Sequence, residues 1–274
     1  MGKFDGWALI SDLDGTMIDD DYNIVEGNLE AVRYFEKNGG RLILATGRSV
    51  SKTRPFAKAF ECSEPCVVYN GAAVYDFNKE EFLWMCTYKK SDVIDYFNDL
   101  SERFPNVGIV VHGREKLWLI RETPEALEYV EYEKRPYFRA QYEQTEDEWF
   151  KVLLVGDEET TSELYSYAAG NVPSILRATR SGSYFCEFLG EKVNKFFATS
   201  HILDMLGISL DKSCGIGDYY NDKELILGTR IGACPASAPE GVRQFSPHVT
   251  AACEEGAVSD FVSYIENLLD EGRA

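Results

Sequence analysis

The sequence predicts an α/β protein in which a parallel-sheet core is interrupted by an inserted α+β module. Three observations predict it. Apolar runs of strand length alternate with helical patterns over the first 70 residues, the alternation returns after residue 190, and the stretch between carries hairpin patterns instead.

Taken in order, residues 7–13 (WALISDL), 41–46 (RLILAT) and 66–70 (CVVYN) read as strands, with helices over 28–37 and 51–60 between them. Such alternation favours right-handed βαβ units and therefore a parallel sheet. In the middle, a helix over 91–103 leads into NVGIVVHGREKLWLIRE, whose two β-rich arms flank HGRE as a hairpin would. A helix over 125–133, the strand WFKVLLV, a helix over 158–169 and the short strands SILRAT and SYFCEFL complete this module. After it come a helix over 195–206, the strand SCGIGD, a helix over 222–227, a short strand at 230–233 and a closing amphipathic helix over 258–269. The expected organisation is a core from residues 1–80 and 190–274, with the module over 81–189.

Composition excludes several classes of function. Apolar residues form 45% of the 274, and no uninterrupted apolar run approaches the roughly 18 residues of a membrane span. The start MGKFDGW shows no secretory pattern, so the expected location is cytoplasmic. The net charge of −18 is evenly spread, since residues 80–188 hold 12 basic and 21 acidic side chains, −9 of the total. A surface that negative repels nucleic acid and anionic membranes, and neither is an expected partner. The seven cysteines contain no CxxC pair and lie apart from histidines at zinc-ligand spacing, so they read as reduced, mostly buried thiols.

The chemistry concentrates at strand ends, where parallel α/β sheets bind ligands. Asp12 and Asp14 follow the first strand, Thr46-Gly47-Arg48 the second, and Asp218, Asn221 and Asp222 the strand SCGIG. Taken singly, each could be a turn or a helix cap. Together they bring several carboxylates to one crevice, which repel strongly unless a cation or protons compensate them. An oxygen-only donor set selects a hard ion, and Mg²⁺ fits best because it takes a few carboxylates and keeps waters that a phosphate can displace. Asp19, Asp21, Asn23 and Glu30 fall at calcium-loop positions, but Ile24 stands where that loop needs glycine.

DLDGT, then ATGR about thirty residues later, then the lysine of EKVNKF, then GDYYND resemble the four ordered motifs of the haloacid dehalogenase-like phosphatases. YNGA at 69–72 and the long insertion before the lysine are similar to the Cof-type branch with a type IIB cap. The resemblance implies a Rossmann-like core, an inserted α+β cap that selects substrate, and a Mg²⁺-dependent phosphomonoester hydrolase acting on small phosphorylated metabolites, sugar phosphates foremost. It further implies that Asp12 is the nucleophile and Asp14 the general acid and base. The ion would be held by Asp12, the main-chain carbonyl of Asp14 and Asp218, with Asp222 behind them. Phosphoryl oxygens would meet the Leu13 amide, Thr46, the Gly47 amide, Lys195 and Asn221. Asn70, Arg48, Arg180 and His112, the last expected at the hairpin tip, are the candidates for touching substrate. A phosphosugar mutase and a non-catalytic regulatory protein of the same fold are the alternatives; the latter predicts loss of a key aspartate, and none is missing. Leu225, where the pattern leads one to expect Met, and the stretch GACPASAPEGV depart from the family pattern.

Overall fold

The computed structural model describes residues 2–273. In chain order the elements are β1 (Ala8–Ser11), α1 (Glu26–Lys37), β2 (Arg41–Leu44), α2 (Val50–Ala59), β3 (Cys66–Val68), β4 (Ala73–Asp76), β5 (Glu81–Met85), β6 (Tyr88–Lys89), α3 (Ile94–Arg103), β7 (Gly108–Gly113), β8 (Leu117–Arg121), α4 (Pro124–Tyr132), β9 (Tyr137–Arg139), β10 (Glu148–Val155), α5 (Glu158–Asn171), β11 (Leu176–Arg180) and β12 (Phe185–Gly190). They continue with α6 (Lys195–Leu206), β13 (Ser213–Ile216), α7 (Lys223–Gly228), β14 (Ile231–Pro235), α8 (Glu240–Phe245), β15 (Val249–Thr250) and α9 (Ala257–Asp270). The chain forms two compact units: residues 2–47, 53–83 and 194–273 make the first, and residues 48–52 and 84–193 the second.

The first unit is built on a five-stranded sheet of order β15-β14-β13-β1-β2 in which every pairing is parallel. All four residues of β1 and of β13 are buried, as expected for strands covered on both faces. One face packs on α1 and α9, where Phe4 stacks on Phe35 at 4.5 Å and Leu9, Val32, Phe261 and Ile265 join one apolar cluster. α1 contributes the stripe Asn28, Val32 and Phe35 at helical spacing, with a polar residue at its first position.

The run CVVYN does not continue as a strand to residue 70. β3 ends at Val68, Tyr69 and Asn70 both adopt left-handed backbone (φ 53° and 56°), and β4 returns antiparallel to β3. A three-stranded sheet β3-β4-β5 results, tied to the parallel sheet by the bridge Ala45–Val67. The reversal depends on Gly71, which sits at φ +98° with its Cα against the Asn194 carbonyl, so that any side chain there would collide. α8 starts within GACPASAPEGV and β15 follows at Val249–Thr250, and the sequence predicts neither.

The second unit is a seven-stranded sheet of order β11-β12-β10-β7-β8-β9, with β6 on β10. One face carries Ile109, Val111, Val152, Leu154 and Phe188, clustered with Phe97 of α3 and Leu164 of α5. The other carries Val110, Leu119, Leu153 and Val155, clustered with Ala126 and Val130 of α4. α4 begins on Pro124 behind the Thr123 cap, and α5 begins on Asp157, whose carboxylate accepts the Thr160 amide.

Substituting Gly71→Ala is expected to lower stability by about 2–4 kcal/mol, combining left-handed strain with a steric clash against backbone. Urea unfolding of the variant should show a lower midpoint with an unchanged m-value, and an unmoved midpoint would contradict this reading of the turn.

Candidate active site

β1 lies where the strand order reverses: the chain passes from β1 to β2 on one side, and β13 later fills the other. Such a switch point opens a crevice at the carboxyl ends of the strands. Asp12 extends β1 there, its amide donating to Ile216 O at 3.0 Å. The chain then folds on itself, and the Leu13 carbonyl accepts from the amides of Thr16, Met17 and Ile18 at 3.3, 2.9 and 3.0 Å. Gly15, at φ +66°, makes this possible and also lets Asp218 approach, since a Cβ on it would stand 2.5 Å from Asp218 Oδ2.

Thr46 and Gly47 follow β2. The Thr46 amide donates to Val67 O and its carbonyl accepts from Asn70 N, both at 3.0 Å. The strained conformation of Asn70 thus carries its side chain to the same place, where Oδ1 accepts from Asn221 Nδ2 at 2.9 Å and Nδ2 lies 2.9 Å from where a Gly47 Cβ would be. Left-handed non-glycine residues in succession cost energy and cluster at functional sites. Thr46, Asn70, Asn221 and Asp222 are all buried.

Lys195 opens α6. Asn194 caps the helix by accepting the Phe197 amide at 2.7 Å, which fixes where the first turn starts and so where Lys195 points. The side chain is buried, and its Nζ lies 2.7 Å from Asp12 Oδ1 and 2.6 Å from Asp222 Oδ1. The second oxygen of Asp222 accepts the Tyr219 amide at 3.2 Å. One carboxylate oxygen from each of Asp12, Asp218 and Asp222 lies within 4.8 Å of the others.

One ammonium does not balance this cluster. Burial pushes the Asp12 carboxyl up to about 7, against the pull of Lys195 and with the push of Asp222 and Asp14. Burial, then Asp12 and Asp222, hold Asp218 well above the usual carboxylate range. Burial opposes the charge of Lys195, but Asp12 and Asp222 outweigh it and keep the ammonium more basic than usual.

The first unit therefore holds Asp12, Leu13, Asp14, Thr46, Gly47, Asn70, Asp218, Asn221 and Asp222 on the segments that follow its strands, with Lys195 at the start of α6. Arg48, His112 and Arg180 belong to the second unit. The guanidinium of Arg48 lies 5.9 Å from the centre of the Tyr132 ring. His112 is not at a hairpin tip. Register pairs it with Leu117 and leaves the turn to residues 114–116, so the imidazole is fully buried in β7 and its Nε2 shares a 2.8 Å hydrogen bond with the Tyr129 hydroxyl. Burial, then Lys151 and Arg135, keep it neutral, far below the ordinary histidine range. Arg180 pairs with Cys186, across the sheet plane from Glu187, which pairs with Thr179.

Two features escaped the sequence reading. Lys151 sits opposite His112 and forms a buried 2.9 Å ion pair with Glu187, whose other oxygen accepts from Ser181. The signal was a lone charge inside each of the apolar runs WFKVLLV and FCEFL. Asn194 carried only the weak signal of a polar residue before a helix.

A family model for haloacid dehalogenase-like hydrolases matches residues 9–262. Two phosphatases of Bacillus subtilis (strain 168), the 5-amino-6-(5-phospho-D-ribitylamino)uracil phosphatases YitU and YcsE, are similar over nearly their whole length. YitU is 22% identical over 259 residues, 93% of this chain and 96% of its own. YcsE is 24% identical over 256 residues, 92% and 93% respectively. Among solved structures, the HAD subclass IIB sugar phosphatase BT4131 matches with a TM-score of 0.82 at 18% identity, covering 94% of this chain and 98% of that one. SMU.1108c from Streptococcus mutans UA159 matches at 0.81 and 19%, with the same coverage. These likenesses reproduce a Rossmann-like core with an inserted cap. Strand-end carboxylates, their order along the chain and the family match converge, and the chain belongs to the haloacid dehalogenase-like hydrolase family.

Proposed function

We propose that this phosphatase hydrolyses phosphomonoesters of small metabolites, sugar phosphates foremost, through an aspartyl-phosphate on Asp12 and with Mg²⁺ as cofactor. The observation that carries the reading is the placement of Lys195 at 2.7 and 2.6 Å from Asp12 and Asp222, beside Asp218. A buried carboxylate excess of that kind fits a hard divalent ion. Asp12, the Asp14 carbonyl and Asp218 would hold it. Asp222, with one oxygen on Lys195 and the other on the Tyr219 amide, would orient the lysine from behind. Bound Mg²⁺ would supply charge neutralisation to the carboxylates and to the phosphoryl oxygens.

The chain's own groups do the remainder. The Leu13 and Gly47 amides, Thr46, Asn221 and Lys195 cradle the phosphoryl oxygens, where loose phosphoryl transfer needs positioning and charge more than covalent help. Asp12 attacks phosphorus, the ester P–O bond breaks, and Asp14 gives its proton to the departing oxygen. Asp14 then takes a proton from water as that water attacks the aspartyl-phosphate, releasing phosphate and restoring both carboxyls. The hydrogen bond from Asn221 to Asn70 gives Asn70 a part in holding the cradle.

Support for a sugar or polyol phosphate comes from the relatives, one described as a sugar phosphatase and two named for a phosphoribityl compound. Substrate selection is assigned to the inserted residues 81–189. There His112, Lys151 and Glu187 supply polar chemistry on an apolar sheet face and Arg180 adds a cationic group, while Arg48 adds another from the separate segment 48–52.

Phosphate release from a panel of sugar phosphates should require Mg²⁺, and Asp12→Asn should lower kcat by at least about 10³-fold. Release that survives EDTA, or full activity in the variant, would overturn the mechanism.

Charge crowding also makes a stability prediction. Asp218 is harder to ionise in the folded chain than in the unfolded one, so the folded state is favoured below the unfolded value near 4 and loses that advantage as pH rises. In EDTA, Asp218→Asn should therefore stabilise the protein at pH 8 and change it little at pH 4, read from urea midpoints. A variant less stable at both pH values would contradict the assignment.

A further inference from the structure

Asn28 is a fully buried amide on the core-facing stripe of α1, where Val32 and Phe35 are the other buried residues. Its side chain is spent on two distant segments. Nδ2 donates to the carbonyls of Thr16 at 3.0 Å and Met17 at 3.4 Å, which end the turn that begins at Asp12. Oδ1 accepts from the amides of Val258 at 2.9 Å and Ser259 at 3.3 Å, in the first turn of α9. The residue before that helix is Gly256, which has no side chain to cap it, so Asn28 supplies the cap from 230 residues away.

We propose that Asn28 is a positioning residue for Asp14: it clamps the far end of the 12–17 turn to the body of the unit and thereby sets the general acid against the nucleophile. The inference rests on the phosphatase reading of this site. Asp12 is held by the sheet through its amide on Ile216, and Met17 by Asn28 together with the Val25 amide at 3.2 Å. Asp14 lies midway in a turn whose inner hydrogen bonds run from the Thr16, Met17 and Ile18 amides to the Leu13 carbonyl, with the Gly15 amide donating to Ile18 O at 3.0 Å. Fixing both ends of so short a segment leaves its middle little freedom, whereas loosening one end lets the carboxyl move by the ångström or so that general acid catalysis does not tolerate.

The two halves of the amide can be separated. Asn28→Asp keeps oxygens for the α9 amides but cannot donate to Thr16 and Met17 and turns a negative oxygen towards their carbonyls. Amide hydrogen exchange, followed by mass spectrometry on the Mg²⁺-loaded protein, should show residues 15–18 exchanging at least tenfold faster while residues 258–262 stay as in the wild type. With p-nitrophenyl phosphate, kcat should fall at least tenfold and KM should stay within threefold. Asn28→Ser, with one hydroxyl for either segment, should shift both readouts in the same direction by less, and serves if the aspartate variant does not fold. Exchange at residues 15–18 that is unchanged, loosening of the turn and of α9 to the same degree, or kcat within twofold of wild type would each overturn the proposal. A wild-type protein that releases no phosphate would instead refute the phosphatase reading, and the exchange experiment would still decide whether Asn28 clamps the turn.

Discussion

The buried ammonium of Lys195, shared between Asp12 and Asp222, is the contact on which the rest of the active site depends. Without it three carboxylates would face one another in a desolvated crevice, an arrangement that low dielectric makes prohibitive. Even with it the cluster stays short of positive charge, and burial first, then the neighbouring carboxylates, keeps Asp12 and Asp218 reluctant to ionise. That residual deficit is the useful property. Under the proposed function, it leaves a site that would gain stability by taking up a cation and, with it, a dianionic ester that the acidic surface would otherwise repel. Much of the surrounding architecture serves the placement of that one ammonium: the Asn194 cap starts α6 at the right residue, and Gly71 lets the β3–β4 turn press against the Asn194 carbonyl.

The loops at the strand ends are held from behind by side-chain amides. Asn70, in an unfavourable backbone conformation, joins the Thr46 loop to Asn221. Asn28 joins the Asp12–Met17 turn to the start of the last helix. Buried amides suit this work because each offers donors and an acceptor in fixed geometry and carries no charge that would disturb the cluster. Asparagine on an otherwise apolar helix face costs core packing, which its four hydrogen bonds to Thr16, Met17, Val258 and Ser259 offset.

Much of this was readable in the sequence, and the reasons for success and failure are physical. Strands buried on both faces are nearly uniform in hydrophobicity, which made β1, β2 and β13 visible together with the acidic ends that follow them. α6 spans the expected residues 195–206, with Gly207 ending it by a strong local signal and Asn194 marking its start only weakly. The run CVVYN misled because propensity favours strand through Tyr69, whereas contacts to Thr46 and Asn194 from far along the chain force the left-handed turn. His112 misled for a related reason: GRE is the turn, and a one-residue shift in register decides whether the imidazole meets solvent or core. β15 has only two residues and exists because β14 offers an edge, a tertiary fact with almost no local trace. Asn28 was visible in principle, as a polar residue in phase with Val32 and Phe35, but periodicity alone does not reveal what such a residue bonds.

The central claim is that Lys195 makes Asp12 able to accept a phosphoryl group, and acid-quench trapping tests it most directly. Wild-type protein mixed with Mg²⁺ and a radiolabelled sugar phosphate, quenched within milliseconds and digested, should yield label on the peptide containing Asp12, and Lys195→Met should yield none under the same conditions. Label on a different residue, or undiminished labelling of Asp12 in the lysine variant, would contradict the account.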